Sequence, residues 1–213
     1  SPNPNGRLAI TSTSSSAAGT RRRWNRVVAE LTPFQTVGPF FAICLGEEGC
    51  ARLSVKGANG RRITIEGTVF DGAGAPVPDA LVEIWQANAA GRYAHPDDHQ
   101  AKPLDPHFSG YGRAPTNDAG GFSIETIMPG RVPGPDGSLQ APHLLLGILA
   151  RGILTRLVTR LYFADDASTA EDPILALVPA DRRATLLARP VRDDAYRFDL
   201  HLQGDGETVF FDV

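Results

Sequence analysis

The chain has 213 residues, 42% of them hydrophobic, and a formal net charge of −3 at pH 7. That length and apolar content suit one domain with a real core, and without a basic excess to neutralise phosphates no nucleic-acid partner is expected. No apolar run approaches the ~20 residues of a membrane-spanning helix, so no membrane partner is expected either.

Residues Ser1 to Thr20 are rich in Ser, Thr, Gly and Asn and read as a flexible arm. Arg21-Arg22-Arg23 follows without an apolar signal-peptide core, so secretion is not expected. Trp24 to Leu31 suits a short helix, with Trp24, Val27, Val28 and Leu31 on one face. Residues 1–31 are thus predicted to form an N-terminal arm preceding a domain over 32–213. In that domain, Thr32 to Phe41 is an extended segment in which Gly38-Pro39 sets a turn and could form a pocket wall. The only cysteines, Cys44 and Cys50, make neither a disulfide scaffold nor a zinc site. They read as free thiols in a reducing cytoplasm.

From Arg62 the pattern is β. Ile63, Ile65 and Val69 alternate with Thr64, Glu66 and Thr68 through Phe70. After the turn Asp71-Gly72-Ala73-Gly74, strands are predicted over Ala80–Gln86, Phe122–Ile127, Leu157–Phe163, Tyr196–Leu202 and Thr208–Phe211. A small helix is predicted over Arg182–Ala188, capped by the preceding Pro179-Ala180-Asp181. Between Ile127 and Arg151 the chain breaks at Pro129-Gly130, runs through a loop rich in Pro and Gly, and re-enters the sheet at His143. Leu144–Ala150 is an apolar run of strand length, expected to be buried on both faces. A long loop tied between two core strands is a usual place for a site. The fold class is all-β: an antiparallel β-sandwich with long loops, a short N-terminal helix and a small C-terminal helix.

Several motifs follow one another in a specific order. Gly67 to Trp85 is a strand, a Gly-rich turn, Pro-Val-Pro and another strand. Gly91-Arg92-Tyr93, Leu104-Asp105-Pro106-His107-Phe108, Gly110-Tyr111-Gly112-Arg113, Thr126 to Gly130 and Ala141-Pro142-His143 come after it. In this order and spacing they resemble the intradiol ring-cleaving dioxygenases, over roughly residues 32–213. Thr32 to Pro39, Ala150 to Ile153, Thr159 to Phe163 and Gln203 to Asp212 are similar in particular to the alpha subunits of the heteromeric members of that family.

The resemblance implies a non-haem Fe(III) enzyme whose metal is held by two tyrosinates and two imidazoles, hard donors suited to ferric iron. It implies that a catechol chelates the metal, is attacked by O₂, and opens between its hydroxyl-bearing carbons to a cis,cis-muconate. On this chain the four ligand positions fall at Tyr93, Val132, His143 and Leu145. Two of them carry donors and two are apolar, and Gln140 stands where the catalytic subunit has an arginine. Tyr111, Tyr162, His107 and His201 lie in other motifs. The implied assignment is therefore a non-iron alpha subunit with no catalytic or metal-binding residue of its own. Its iron-binding beta partner supplies Fe(III), and several alpha–beta units assemble. Thr36, Gly38, Pro39 and Arg151 complete the substrate pocket across the interface. The implied substrates are protocatechuate and O₂, giving 3-carboxy-cis,cis-muconate, and a guanidinium at Arg151 suits the substrate carboxylate. The residues also leave open a non-catalytic β-sandwich binding module, or a homomeric dioxygenase with rearranged ligands.

Overall fold

Alternation of apolar and polar residues over Arg62–Phe70 produces the first long strand of the computed structural model, which describes residues 8–9, 35–36, 51–53, 56–134 and 136–212. Ile63, Ile65 and Val69 turn inward and are buried, as expected from their period of two. Gly67 sits between them because a Cβ there would lie 1.9 Å from the carbonyl oxygen of Phe198 and 2.5 Å from the ring of Phe122.

In chain order the strands are β1 (Leu8–Ala9), β2 (Arg62–Phe70), β3 (Leu81–Trp85), β4 (Tyr111–Pro115), β5 (Gly121–Ile127), β6 (Val132–Pro133) and β7 (Leu139–Gln140). They continue with β8 (His143–Leu149), β9 (Leu157–Phe163), β10 (Leu187–Arg192), β11 (Ala195–Arg197), β12 (Leu200–His201) and β13 (Phe211–Asp212). The only α-helical turn among the described residues is α1 (Pro173–Leu177).

One layer runs β4-β3-β8-β9, with β13 on the outer side of β9; the other is β5-β2-β11. β10 joins them. Its first residues pair with β9, Leu187 against Tyr162, and its last ones pair with β11 across an irregularity between Pro190 and Arg192. The main core lies between the layers. Val82, Ile84, Leu144, Leu146, Ile148 and Leu161 come from one side, and Ile65, Val69, Phe122, Ile124 and Tyr196 from the other. Each such side chain contributes about 1.5–3 kcal/mol on burial. A smaller cluster of Tyr162, Leu175, Val178, Leu186 and Phe211 fills the space between β9 and α1.

The expected β-sandwich is present, but its pairing is mixed. β10–β9, β11–β2, β12–β2 and β1–β13 are parallel, while the remaining pairs are antiparallel. The single strand expected over Tyr196–Leu202 is two. At the break, the Asp199 carboxylate accepts the Thr68 N–H at 2.9 Å, taking the place of a backbone carbonyl. The helix expected over Arg182–Ala188 is a short 3-10 turn at Arg183–Leu186, from which the chain passes directly into β10. The α-helical turn comes earlier, capped by Asp172 with Pro173 at its first position. The expected helix over Trp24–Leu31 and both cysteines lie outside the described residues, whereas Leu8–Ala9, inside the expected arm, pairs with β13. Among the described residues no helix is long and apolar enough to cross a membrane.

Candidate functional site

Across three adjacent strands, Trp85 of β3 pairs with Leu145 of β8, and Leu145 pairs with Arg160 of β9. One step along, His143 pairs with Tyr162. Partners in register project to the same side, so these five side chains share the face turned away from the main core. The neighbours in between, Leu144, Leu146 and Leu161, are fully buried in the core.

Two loops come over this face. The β3–β4 loop carries Tyr93, whose ring stacks on Trp85 with centroids 5.6 Å apart. Its entry is shaped by Asn88, whose side-chain oxygen accepts the Ala90 and Arg92 amides at 3.0 Å. The second loop carries the hairpin β6–β7, in which Val132 pairs with Gln140. Gly91 (φ 78°) lets the two loops touch, since a Cβ there would lie 2.0 Å from the Arg131 carbonyl oxygen. The Lys102 ammonium donates to the carbonyls of both Gly91 and Arg131, at 3.2 and 2.9 Å, and ties them together. The result is a cavity of about 600 Å³, open to solvent, with Trp85, Tyr93, His95, His99, Val132 and Pro133 among its walls.

The same face of the sheet carries a polar network built on Asp172. Asp172, fully buried, accepts the Ala141 amide at 2.8 Å and the Tyr162 hydroxyl at 3.0 Å, and caps α1 through the amides of Ile174 and Leu175. Arg160 donates from Nη1 to Gln140 Oε1 at 2.7 Å and to the Tyr162 hydroxyl oxygen at 3.3 Å. The His143 ring is buried, and its Nδ1–H donates to the Ala141 carbonyl at 2.7 Å. Burial, reinforced by the Arg160 charge, pushes the His143 imidazole down to about 4, so it is neutral near pH 7. Burial raises the Tyr93 and Tyr162 hydroxyls above the ordinary tyrosine value, with Arg160 acting against it in both cases.

The fold therefore brings together all four positions that align with the family's iron ligands, but not a ferric site. Tyr93 and His143 retain donors; Val132 and Leu145 offer no lone pair. The Arg160 guanidinium stands across the strand pair from Leu145, where its positive charge opposes a trivalent cation. Among the described residues, no group of three or more His, Cys, Asp or Glu side chains is placed to hold a metal. These residues do not fit Fe(III). Tyr111 and His201 supply no replacement: the Tyr111 hydroxyl donates to Glu83 at 3.1 Å, and His201 stacks on Phe70.

Of the expected pocket residues, Thr36 and Arg151 are brought together elsewhere. The Gly152 amide donates to Thr36 Oγ1 at 3.1 Å, next to Arg151, which is exposed and ion-paired with Asp79. Arg151 and Arg182 also border a cavity of about 800 Å³ with Leu154, Gln203 and Phe210. This place lies past the far end of β8 from His143, on the order of 25 Å away at the usual rise per strand residue. Gly38 and Pro39 lie outside the described residues. Sequence reasoning missed Arg160, Tyr162 and Asp172. Arg160 does stand out as a charged residue within an otherwise mostly apolar strand, but its position opposite Leu145 is a matter of register.

Residues 38–204 match a family model described as Dioxygenase. The chain is 43% identical to the protocatechuate 3,4-dioxygenase alpha chain of Burkholderia cepacia, over 85% of this chain and 97% of that protein. It is 40% identical to the beta chain of the same enzyme, over 70% of this chain and 67% of that one. Among solved structures, it is similar to the dioxygenase domain of a dioxygenase–carbohydrate-binding protein fusion from Streptomyces sp. SirexAA-E (26% identity, TM-score 0.56, 81% of this chain and 98% of that one). With its sandwich, its site geometry and these similarities in agreement, the chain belongs to the intradiol dioxygenase family.

Proposed function

We propose that this chain is the non-iron alpha subunit of a heteromeric protocatechuate 3,4-dioxygenase, with Fe(III) bound by a beta partner and several alpha–beta units in the assembly. The observation that carries this reading is the state of its own ligand positions. The scaffold is retained, yet Val132 and Leu145 replace two donors and a guanidinium is added beside them. A chain selected to hold its own ferric ion would not keep that arrangement. The similarity runs almost the full length of the alpha chain of Burkholderia cepacia and only two thirds of the beta chain, which supports the same assignment.

The chain's own contribution is to complete the partner's substrate pocket with the segment carrying Thr36, Gly38 and Pro39, and with Arg151. Thr36 accepts the Gly152 amide, which brings it next to Arg151. The Arg151 side chain is 59% exposed despite its pairing with Asp79, which leaves guanidinium N–H groups for the carboxylate of an aromatic acid.

Co-expression with a beta chain, followed by purification and iron analysis of the complex and of this chain alone, tests the proposal. The complex should carry iron and a visible tyrosinate-to-ferric band. This chain alone should carry neither. About one ferric ion per chain with a tyrosinate band, from this chain alone, would overturn the assignment.

A further inference from the structure

Arg151 does not stand alone past the end of β8. Among the described residues, Asp79 is the one carboxylate that forms an ion pair with it, and it meets the guanidinium at Nε. A contact at Nε comes from the side and leaves open the outer edge, which carries Nη1 and Nη2. Those two groups have no partner among the described residues. Two other acids border the same cavity of about 800 Å³, and neither pairs with Arg151. Asp71 Oδ1 accepts the Ala73 and Ala75 amides at 2.9 and 2.8 Å, and Glu207 forms no ion pair with a described cation.

The two partners are unequal. The Arg151 side chain is 59% exposed and that of Asp79 only 20%. Asp79 also stands on a turn with little freedom. Pro76 and Pro78 fix two of its φ angles. Thr116 grips both flanks: its hydroxyl donates to the Val77 carbonyl at 2.8 Å and accepts the Ala80 amide at 2.9 Å, and its own amide donates to the Ala80 carbonyl at 2.9 Å. An exposed arginine samples many rotamers, and ordering it when a ligand arrives weakens the binding. A fixed carboxylate at Nε removes much of that loss beforehand.

We propose that Asp79 is a positioning residue, which holds Arg151 by Nε so that the Nη1–Nη2 edge meets the carboxylate of an aromatic acid in the partner's pocket. The role rests on Arg151 belonging to that pocket. Asp79 itself touches no substrate; it acts through Arg151 and stays on the side of the guanidinium that the substrate does not need.

Steady-state kinetics of the purified heteromer test it with Asp79→Asn, which keeps the shape and removes the charge. KM for protocatechuate should rise roughly two- to tenfold, the effect of having to order one free arginine on binding. The value of kcat and the KM for catechol, which has no carboxylate, should stay within about twofold of wild type. In an Arg151→Ala background the same substitution should change nothing, because no guanidinium remains to be held. An ion pair of purely structural use would move the melting temperature and not this split between substrates. An unchanged or lowered KM for protocatechuate in the Asp79→Asn heteromer would overturn the proposal. So would an equal rise for catechol, a further rise on top of Arg151→Ala, or dissociation of the heteromer. The two readings fail separately. An Arg151→Ala heteromer with unchanged KM for protocatechuate removes Arg151 from the pocket and Asp79 with it. A rise there without one in Asp79→Asn removes only the positioning role.

Discussion

Replacing Asp172 by alanine should be among the most damaging single substitutions in this chain. The side chain is fully buried and its two oxygens accept four hydrogen bonds between 2.8 and 3.0 Å. Two of these cap α1, and losing such a cap costs about 1 kcal/mol. The other two satisfy the Ala141 amide and the Tyr162 hydroxyl, and each buried donor left without an acceptor costs about 1–3 kcal/mol. Together these give about 3–6 kcal/mol, with water entering the vacated space bringing the value toward the lower end. Asp172→Asn keeps one acceptor oxygen and should cost about half as much. Urea unfolding of the assembled protein at fixed concentration reads the total, and amide hydrogen exchange at Ala141, Ile174 and Leu175 reads the site. An Asp172→Ala protein within about 1 kcal/mol of wild type, with those three amides still protected, would refute the claim that one carboxylate holds α1, β8 and β9 together.

The depressed His143 imidazole makes stability pH-dependent with a definite sign. The unfolded chain takes up its proton near 6.5 and the folded chain only near about 4, so the contribution is complete above 6.5 and is lost as the pH falls toward 4. The full effect is about 3 kcal/mol; a His143→Gln protein whose stability falls in parallel with wild type over that range would contradict it. Gly67→Ala should cost more than about 3 kcal/mol, because the new methyl meets the Phe198 backbone, while Gly147→Ala should cost clearly less, about 1–2 kcal/mol, because the nearest atoms it meets belong to the flexible Arg156 side chain, which can shift at the expense of its ion pair with Glu83. Comparable unfolding midpoints for the two would show that the close strand approach at Gly67 is unimportant. In the heteromer, Arg151→Ala should raise KM for protocatechuate by the equivalent of about 1–3 kcal/mol, with little effect on catechol, which has no carboxylate. An equal loss for both substrates with the assembly and iron intact would exclude a carboxylate contact, and dissociation of the heteromer would assign Arg151 to the interface.

Most of the sandwich is legible in the sequence, because a strand with one face in the core writes its burial into alternate residues. Arg62–Phe70 and Leu157–Phe163 appear with the boundaries that their patterns predict. The departures at the ligand positions were equally legible, since Val132 and Leu145 cannot coordinate a metal in any conformation. Local pattern failed where a tertiary partner intervened. Tyr196–Leu202 alternates strictly, yet the Asp199 carboxylate replaces a ladder carbonyl and divides the strand. The segment 111–115, with Gly112 and Pro115, carries too weak a local signal to read as a strand, and is made one by pairing with β3. Donor loss could be read one residue at a time, but what occupies the site instead could not. Arg160 comes from a strand later in the chain, and only the strand register sets its positive charge opposite Leu145.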